Sequence, residues 1–275
     1  TPQETDELLN TMKGFAANGV AVIFITHKLR EVLAIADKIE VLRSGKVVGT
    51  TTPAEADQAK LAQMMVGRSV LLSVEKSASS PKEIVLDVVG FSSDSDIGLP
   101  AIRNVDLTVR SGEIVGIAGV EGNGQRELVE ALTGIRKSTA TKFTINDENA
   151  IGAGPHEIHG MHVGHVPEDR EKDGLVAQYS IANNMVLNRF DEPEFSRRGI
   201  RNMDAVNSQA TKLVKDFDVR TPSIKTPANS LSGGNKQKVV IARELSANPS
   251  LLIASQPTRG VDVGSIEFIH SQIIS

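Results

Sequence analysis

Two short stretches carry residue types that could hold a phosphate. In LSGGNKQK (Leu231 to Lys238), two glycines follow a hydroxyl residue at the mouth of an apolar helix. Unpaired backbone N–H groups and the positive end of the helix dipole therefore face outward, toward an anion. The second stretch, GVEGNGQR (Gly119 to Arg126), stands between an apolar strand pattern and a helix. That is the setting of a phosphate loop, G-x-x-x-x-G-K-[ST], in which backbone N–H groups cradle phosphates, a lysine meets the outer phosphates and a hydroxyl binds Mg²⁺. Gly119 and Gly124 hold this frame, with Gly122 and Asn123 between them, but Gln125 stands at the lysine position and Arg126 at the hydroxyl position. The cradle is kept without its charge and its metal ligand.

The elements that must position these residues read as alternating strands and helices. Thr1-Pro2-Gln3-Glu4 is a helix start with a capping box, and Leu8, Leu9, Met12 and Phe15 recur at helical spacing until Gly19. VAVIFIT (Val20 to Thr26) is a continuous apolar run that predicts a strand buried in a parallel sheet. It delivers His27 at its C-terminal end, the edge where open α/β sheets bind ligands. A helix follows with Leu29, Val32, Leu33 and Ala36 inward, then two strands joined through Ser44-Gly45, then a helix ending in MMVGR (Met64 to Arg68).

SVEKSASSPKE (Ser73 to Glu83) is small, polar and broken by proline, and predicts a linker. Beyond it, Ile84 to Val89 and Ile102 to Val109 predict antiparallel strands, and EIVGIA (Glu113 to Ala118) the strand that delivers Gly119. Further strands are expected at Thr144 to Ile151 and Met161 to Val166, the latter leading into VPEDR (Val166 to Arg170). Ile181 to Leu187 and Met203 to Phe217 predict a helical insertion before LSGGNKQK. The helix after that motif carries an apolar stripe of Val239, Val240, Ala242 and Leu245 and ends at Asn248-Pro249 before the strand LLIA.

LSGGNKQK, a helix, an apolar strand and then QPTRGVD, in that order, resemble the signature, Walker B and D-loop region of ATP-binding cassette (ABC) proteins. The resemblance implies an α/β P-loop NTPase fold with an antiparallel β subdomain and a helical subdomain at about 175–245. Motif order is unusual for that family, because the segment resembling its switch-histidine strand, VIFITHKLREV, precedes the phosphate loop. Thr1 to Phe15 looks like the helix that follows a D-loop, and Val261 to Ile274 looks like the same helix starting again, so a circular permutation is disfavoured. The resemblance implies a segment of a tandem protein. Residues 1–72 would be the end of a first cassette, 73–83 a linker, and 84–275 a second cassette truncated before its switch strand. MMVGR, VPEDR and LSGGNKQK resemble the ATPase subunits of bacterial simple-sugar importers. GNGQ and SQPTRGVDVGSIEFIH look closer to nucleoside importers.

What the resemblance implies for each residue is an asymmetry between two sites. Ser232, Gly233, Gly234, Asn235, Lys236 and Gln237 would serve an ATP held by the first cassette, the same ATP whose γ-phosphate His27 would touch. The second cassette's own site is degenerate in Gln125 and Arg126. Ser255 replaces the Mg²⁺-associated Asp of Walker B, and Gln256 replaces the Glu that would activate water. Glutamine cannot accept that proton, and such acid–base catalysis contributes roughly 10²–10⁴-fold. Glu168 stands at the Q-loop position and Asp262 in the D-loop. Arg126 could supply the missing positive charge. Phe91 is a poor candidate for the adenine-stacking aromatic. The implied cofactors are ATP and Mg²⁺, mainly at the site completed by the first cassette, and this segment alone is expected to be inactive. Implied partners are membrane permease subunits and, indirectly, an extracytoplasmic solute-binding protein, at the cytoplasmic face of a bacterial plasma membrane.

Composition bounds the alternatives. The 275 residues, 40% hydrophobic and 23% charged, suit one large or two medium domains. No apolar run approaches the roughly 20 residues of a membrane span, and no signal pattern opens the chain. Zero cysteines exclude disulfides and thiolate metal sites and fit a reducing cytoplasm. A net charge of -4 argues against a general nucleic-acid binder. His156, His159, His162 and His165 recur every third residue, but the glycines and proline among them break any helix that could align them on a metal. A dinucleotide fold has the wrong glycine spacing and Glu127 at its third small position. A soluble tandem protein acting on ribosomes or DNA, or a scaffold, remains the alternative, against which the short, bland linker argues.

Overall fold

The computed structural model describes residues 2–69, 78–120 and 122–274. The chain divides into two compact units, Thr1–Lys76 with Val261–Ser275, and Ser77–Gly260. The capping residue expected at Thr1 and the first part of the linker, 73–77, fall outside the described residues.

The first unit opens with helix α1 (Pro2–Ala17), which buries Leu9 and is followed by a turn with Gly19 at positive φ, and continues with α2 (Leu29–Ile35). An antiparallel pair follows, β1 (Ile39–Arg43) and β2 (Lys46–Thr51), turned through Ser44 and Gly45, both at positive φ. Helix α3 (Gln58–Val66) is capped by the Asp57 carboxylate, which accepts from the Lys60 N–H. Leu29, Ile39, Val41, Leu61 and Ala62 form the core of this unit. The unit's last helix, numbered α9 in chain order (Val263–Ile274), sets Val263 against that cluster and pairs Glu267 with Arg68 at 2.8 Å.

The expectation of a buried strand at Val20 to Thr26 is overturned. The segment has no regular structure, and Ile23 and Ile25 are each 91% exposed. The same correction applies to Glu113 to Ala118, which forms no strand and leaves Ile114 and Ile117 about half exposed. A parallel strand is held by hydrogen bonds to neighbours distant in sequence. Neither run has such a neighbour among the described residues, and apolar composition alone cannot supply one.

In the second unit, β3 (Ile84–Asp94) lies between β4 (Pro100–Arg110) and β5 (Lys142–Ile145), with β6 (Glu148–Asn149) at the edge of an antiparallel sheet. Helix α4 (Gln125–Leu132) packs Leu128, Ala131 and Leu132 onto it, and Phe143 meets Phe91 edge-on at 5.3 Å. Phe91 is fully buried in that core and has no access to a ligand. Helix α5 (Pro155–Gly160) leads to β7 (Val163–Val166), which pairs in parallel with β10 (Leu251–Ala254).

The helical part of this unit consists of α6 (Ile181–Met185), a hairpin of β8 (Ser196–Arg197) and β9 (Ile200–Arg201), α7 (Met203–Asp216) and α8 (Gly233–Ser246). Helix α8 is buried on more than the predicted stripe. Arg243 and Glu244 are also inside, joined at 2.7 Å. Arg243 donates to the Gly174 carbonyl, while Glu244 accepts from Asn188 and from the His165 N–H. A buried ion pair needs such extra partners to offset its lost hydration.

Candidate functional site

The loop at 119–125 is closed by one of its own side chains. Gly124 caps α4 at φ 96°, and a Cβ there would lie 2.9 Å from the Ala101 carbonyl, so glycine is required. From the first helical position, Gln125 folds back over the loop. Its amide nitrogen donates to the Val120 carbonyl at 2.9 Å, and its amide oxygen accepts the Asn123 N–H at 3.1 Å. One N–H that an anion would use is thus taken by a neutral side chain. Glu121 lies outside the described residues.

Arg126 does not enter the loop. Its Nε donates to Glu130 one helical turn on at 2.7 Å, and Arg136 binds the other carboxylate oxygen. Burial by itself would raise the Glu130 pKa, but the hydrogen bonds from Arg126 and Arg136 outweigh it and hold the carboxyl below its usual range. The guanidinium expected to rescue the missing lysine is committed along α4.

At the end of β10, the Ser255 N–H donates to the Val166 carbonyl at 2.9 Å. Gln256 follows in the left-handed region at φ 44°, uncommon for a non-glycine residue and a mark of local strain. This turn aims its amide at Glu168, whose Oε1 it reaches at 3.0 Å. Arg259 pairs with the same oxygen. Glu168 is therefore neutralised within the chain. Mg²⁺ does not fit this cluster, since Ser255 and Gln256 bring no charge and the one carboxylate is already paired.

Arg170 links this loop to the other motif. Its guanidinium donates to the Arg259 carbonyl at 2.7 Å and the Gly260 carbonyl at 3.3 Å, and a Cβ on Gly233 would lie 2.7 Å from it. Asp169 caps the turn behind it by accepting the Lys172 and Glu171 N–H groups, which hold its carboxyl below the usual range. Ser232 is the N-cap of α8 and accepts from the Asn235 amide at 3.0 Å, while the Asn235 oxygen accepts the Arg220 N–H. Lys236 reaches Glu171 at 2.9 Å, Gly234 is buried, and Gln237 is buried at 2% exposure. Of the signature residues, Ser232 alone is exposed.

His27 and Asp262 belong to the first unit. His27 is exposed, and Asp262 caps α9, accepting the Ser265 N–H at 3.0 Å and its hydroxyl at 2.8 Å. Against the expectation that glycine and proline break any helix here, His156 and His159 share α5, but the four histidines have different partners: His156 pairs with Asp191, His159 meets the Val163 carbonyl, His162 sits at φ 61° and His165 lies on β7. Sequence reasoning passed over Arg170 and Arg259, although both stand inside the quoted motifs VPEDR and QPTRGVD. Their signal was a cation beside positions that had lost their charges.

A family model described as ABC transporter matches residues 102–259, more than half of the chain. The chain belongs to the ABC transporter family. Its α/β fold is that of the ABC ATPases, with antiparallel β and helical subdomains. Solved ATP-binding cassettes agree. The dimeric cassette MJ0796 in its post-hydrolysis state with ADP and Pi superposes with a TM-score of 0.58 at 24% identity, over 68% of this chain and 81% of that one. At that identity the likeness concerns the fold. Among sequence relatives, the nucleoside import ATP-binding protein NupA of Lactococcus lactis is 44% identical over all of this chain and 54% of its own length. The guanosine import ATP-binding protein NupO of Bacillus subtilis is 43% identical with the same coverage. The glucose import ATP-binding protein TsgD13 of Haloferax volcanii is 44% identical over all of this chain and 50% of its own length. The chain spans about half the length of the curated relatives it matches. Among the described residues of this ABC family member, no helix is long and apolar enough to cross a membrane.

Proposed function

We propose that this chain is part of the energy-coupling ATPase subunit of an importer for nucleosides or simple sugars. In this reading residues 1–72 end a first cassette, 73–83 are a linker, and 84–275 form a second cassette whose own nucleotide site does not hydrolyse. Ser232, Gly233, Gly234, Asn235, Lys236 and Gln237 then serve ATP and Mg²⁺ held by the first cassette, where His27 meets the γ-phosphate. The partners are membrane permease subunits at the cytoplasmic face of a bacterial membrane, with a solute-binding protein acting through them.

Gln125 carries the non-hydrolytic half of this reading. It occupies the lysine position, and its amide satisfies the loop's own backbone groups. Ser255 and Gln256 support it, since neither side chain can act as a carboxylate base. The import half is supported by relatives named for nucleoside, guanosine and glucose import at 43–44% identity.

Two measurements test the proposal. Phosphate release by the purified chain with Mg²⁺ and ATP is expected to stay at the buffer background, and turnover lost on Gln125→Ala would overturn it. Paired with an intact first cassette, the chain is expected to support turnover that Gly233→Asp abolishes. Cofractionation with ribosomes instead of membranes would favour the soluble tandem reading.

A further inference from the structure

We propose that the β8–β9 hairpin and the start of α7 form a docking site for an acidic segment of a partner protein. Arg197, Arg198, Ile200, Arg201 and Asn202 line one open depression of about 500 Å³. None of them takes part in the nucleotide reading above. Among the described residues, no ion pair reaches Arg197, Arg198 or Arg201, and the contact Arg201 makes is with the Asn183 amide oxygen at 3.0 Å. Two of the nearby acids are used elsewhere, and among the described residues Glu194 and Asp204 form no ion pair with these arginines. Glu192 is held by the Arg189 fork at 2.8 and 2.7 Å, and Asp191 pairs with His156. Three guanidiniums therefore stand within five residues, in a chain of net charge -4, with no carboxylate of the chain's own assigned to them.

The frame beneath them is firm. Phe195 is buried under the Arg189 guanidinium at 5.2 Å, and its carbonyl accepts the Asn202 N–H at 2.8 Å. Asn202 also caps α7 through the Ala205 N–H. Arg198 and Gly199 form a two-residue turn at φ 53° and 78°, the pairing that suits a tight hairpin. Planar guanidiniums on such a base suit bidentate recognition of carboxylates. Ile200, 76% exposed among them, adds an apolar contact, so the fitting ligand is a peptide with an apolar residue among its acids.

A lipid surface fits less well. Three cations near an anionic leaflet make a weak anchor, and the chain's net negative charge opposes it.

The test is fluorescence anisotropy with a labelled, end-capped peptide of Glu-Glu-Leu repeats, using a Gln-Gln-Leu peptide as control. The unaltered chain is expected to bind the acidic peptide alone, more weakly as salt rises. The triple change R197Q/R198Q/R201Q is expected to weaken binding by about tenfold or more, and R197K/R198K/R201K by several-fold because the fork is lost. If the triple variants fail to fold by circular dichroism, Ile200→Asp, which adds a repelling carboxylate to the depression, is expected to give the same loss. Absence of acidic-peptide binding, equal binding by the Gln or Lys variants, or sedimentation with phosphatidylglycerol vesicles that the same changes abolish would each overturn the proposal.

Discussion

The Gln125 amide donates to the Val120 carbonyl at 2.9 Å, so the side chain at the lysine position of the phosphate loop is bound by the loop itself. An incoming phosphate must displace it to reach the Asn123 N–H. A neutral amide offers no charge attraction in return.

Removing that competitor is expected to strengthen binding without creating turnover. Gln125→Ala removes one of the two acceptors of the Asn123 N–H, which also donates to the Val120 carbonyl at 3.2 Å, a difference of at most about 1 kcal/mol or roughly fivefold in affinity for ATP without Mg²⁺. A fluorescent ATP analogue titrated against both proteins measures it. An unchanged affinity would show that Gln125 does not compete. Gln125→Lys is expected to leave phosphate release at background, because Ser255 and Gln256 still supply no carboxylate.

The buried pair of Arg243 and Glu244 makes a second prediction. Both side chains are at most 6% exposed, and Glu244 also holds Asn188 and β7 through the His165 N–H. Glu244→Ala leaves a buried guanidinium unpaired and is expected to destabilise the second unit by about 3–5 kcal/mol. The double change R243M/E244L is expected to be considerably less damaging than the single one. Urea unfolding of both variants provides the comparison, and a double variant as weak as Glu244→Ala would refute it.

Stability should also fall in mildly acidic solution. His165 lies on β7 with Nε2 sealed from solvent and without a hydrogen-bond partner, and burial lowers its pKa. Glu244 pulls the other way, and Arg243 adds to the lowering. Below the ordinary histidine value of about 6.5 the unfolded chain binds a proton that the folded chain refuses, so stability rises with pH there. It is complete above that value and is lost as pH falls through the folded pKa. The carboxyls of Glu130 and Asp169, held low in the fold, act in a separate, more acidic window. His165→Phe is expected to flatten the histidine slope in unfolding followed from about pH 7.5 to about pH 5, a range that brackets the reference value. An unchanged slope would point to another group.

Exposure of the apolar run at Val20 to Thr26 predicts a contrast between two isoleucines and a core leucine. Ile23→Lys and Ile25→Lys are expected to change stability by less than about 0.5 kcal/mol and to reduce aggregation. Leu61→Ala, at a side chain 1% exposed, is expected to cost about 2–5 kcal/mol. Lysine variants as unstable as Leu61→Ala would mean that the run is packed.

The sequence alone determined residue types, motif order and the local elements. A helix satisfies its backbone within itself, so α1, α4, α7 and α8 could be read from spacing, caps and glycine stops. The loss of lysine, hydroxyl and carboxylates at Gln125, Arg126, Ser255 and Gln256 was equally plain, because it depends on identity alone. Tertiary structure decided everything that needs a distant partner. Val20 to Thr26 and Glu113 to Ala118 have strand composition and no strand, since a parallel strand exists through its neighbours. Arg126 turns to Glu130 and away from the loop, and Arg259 neutralises Glu168 across 91 positions of sequence. Charge placement is a property of folded distance, and spacing along the chain does not encode it.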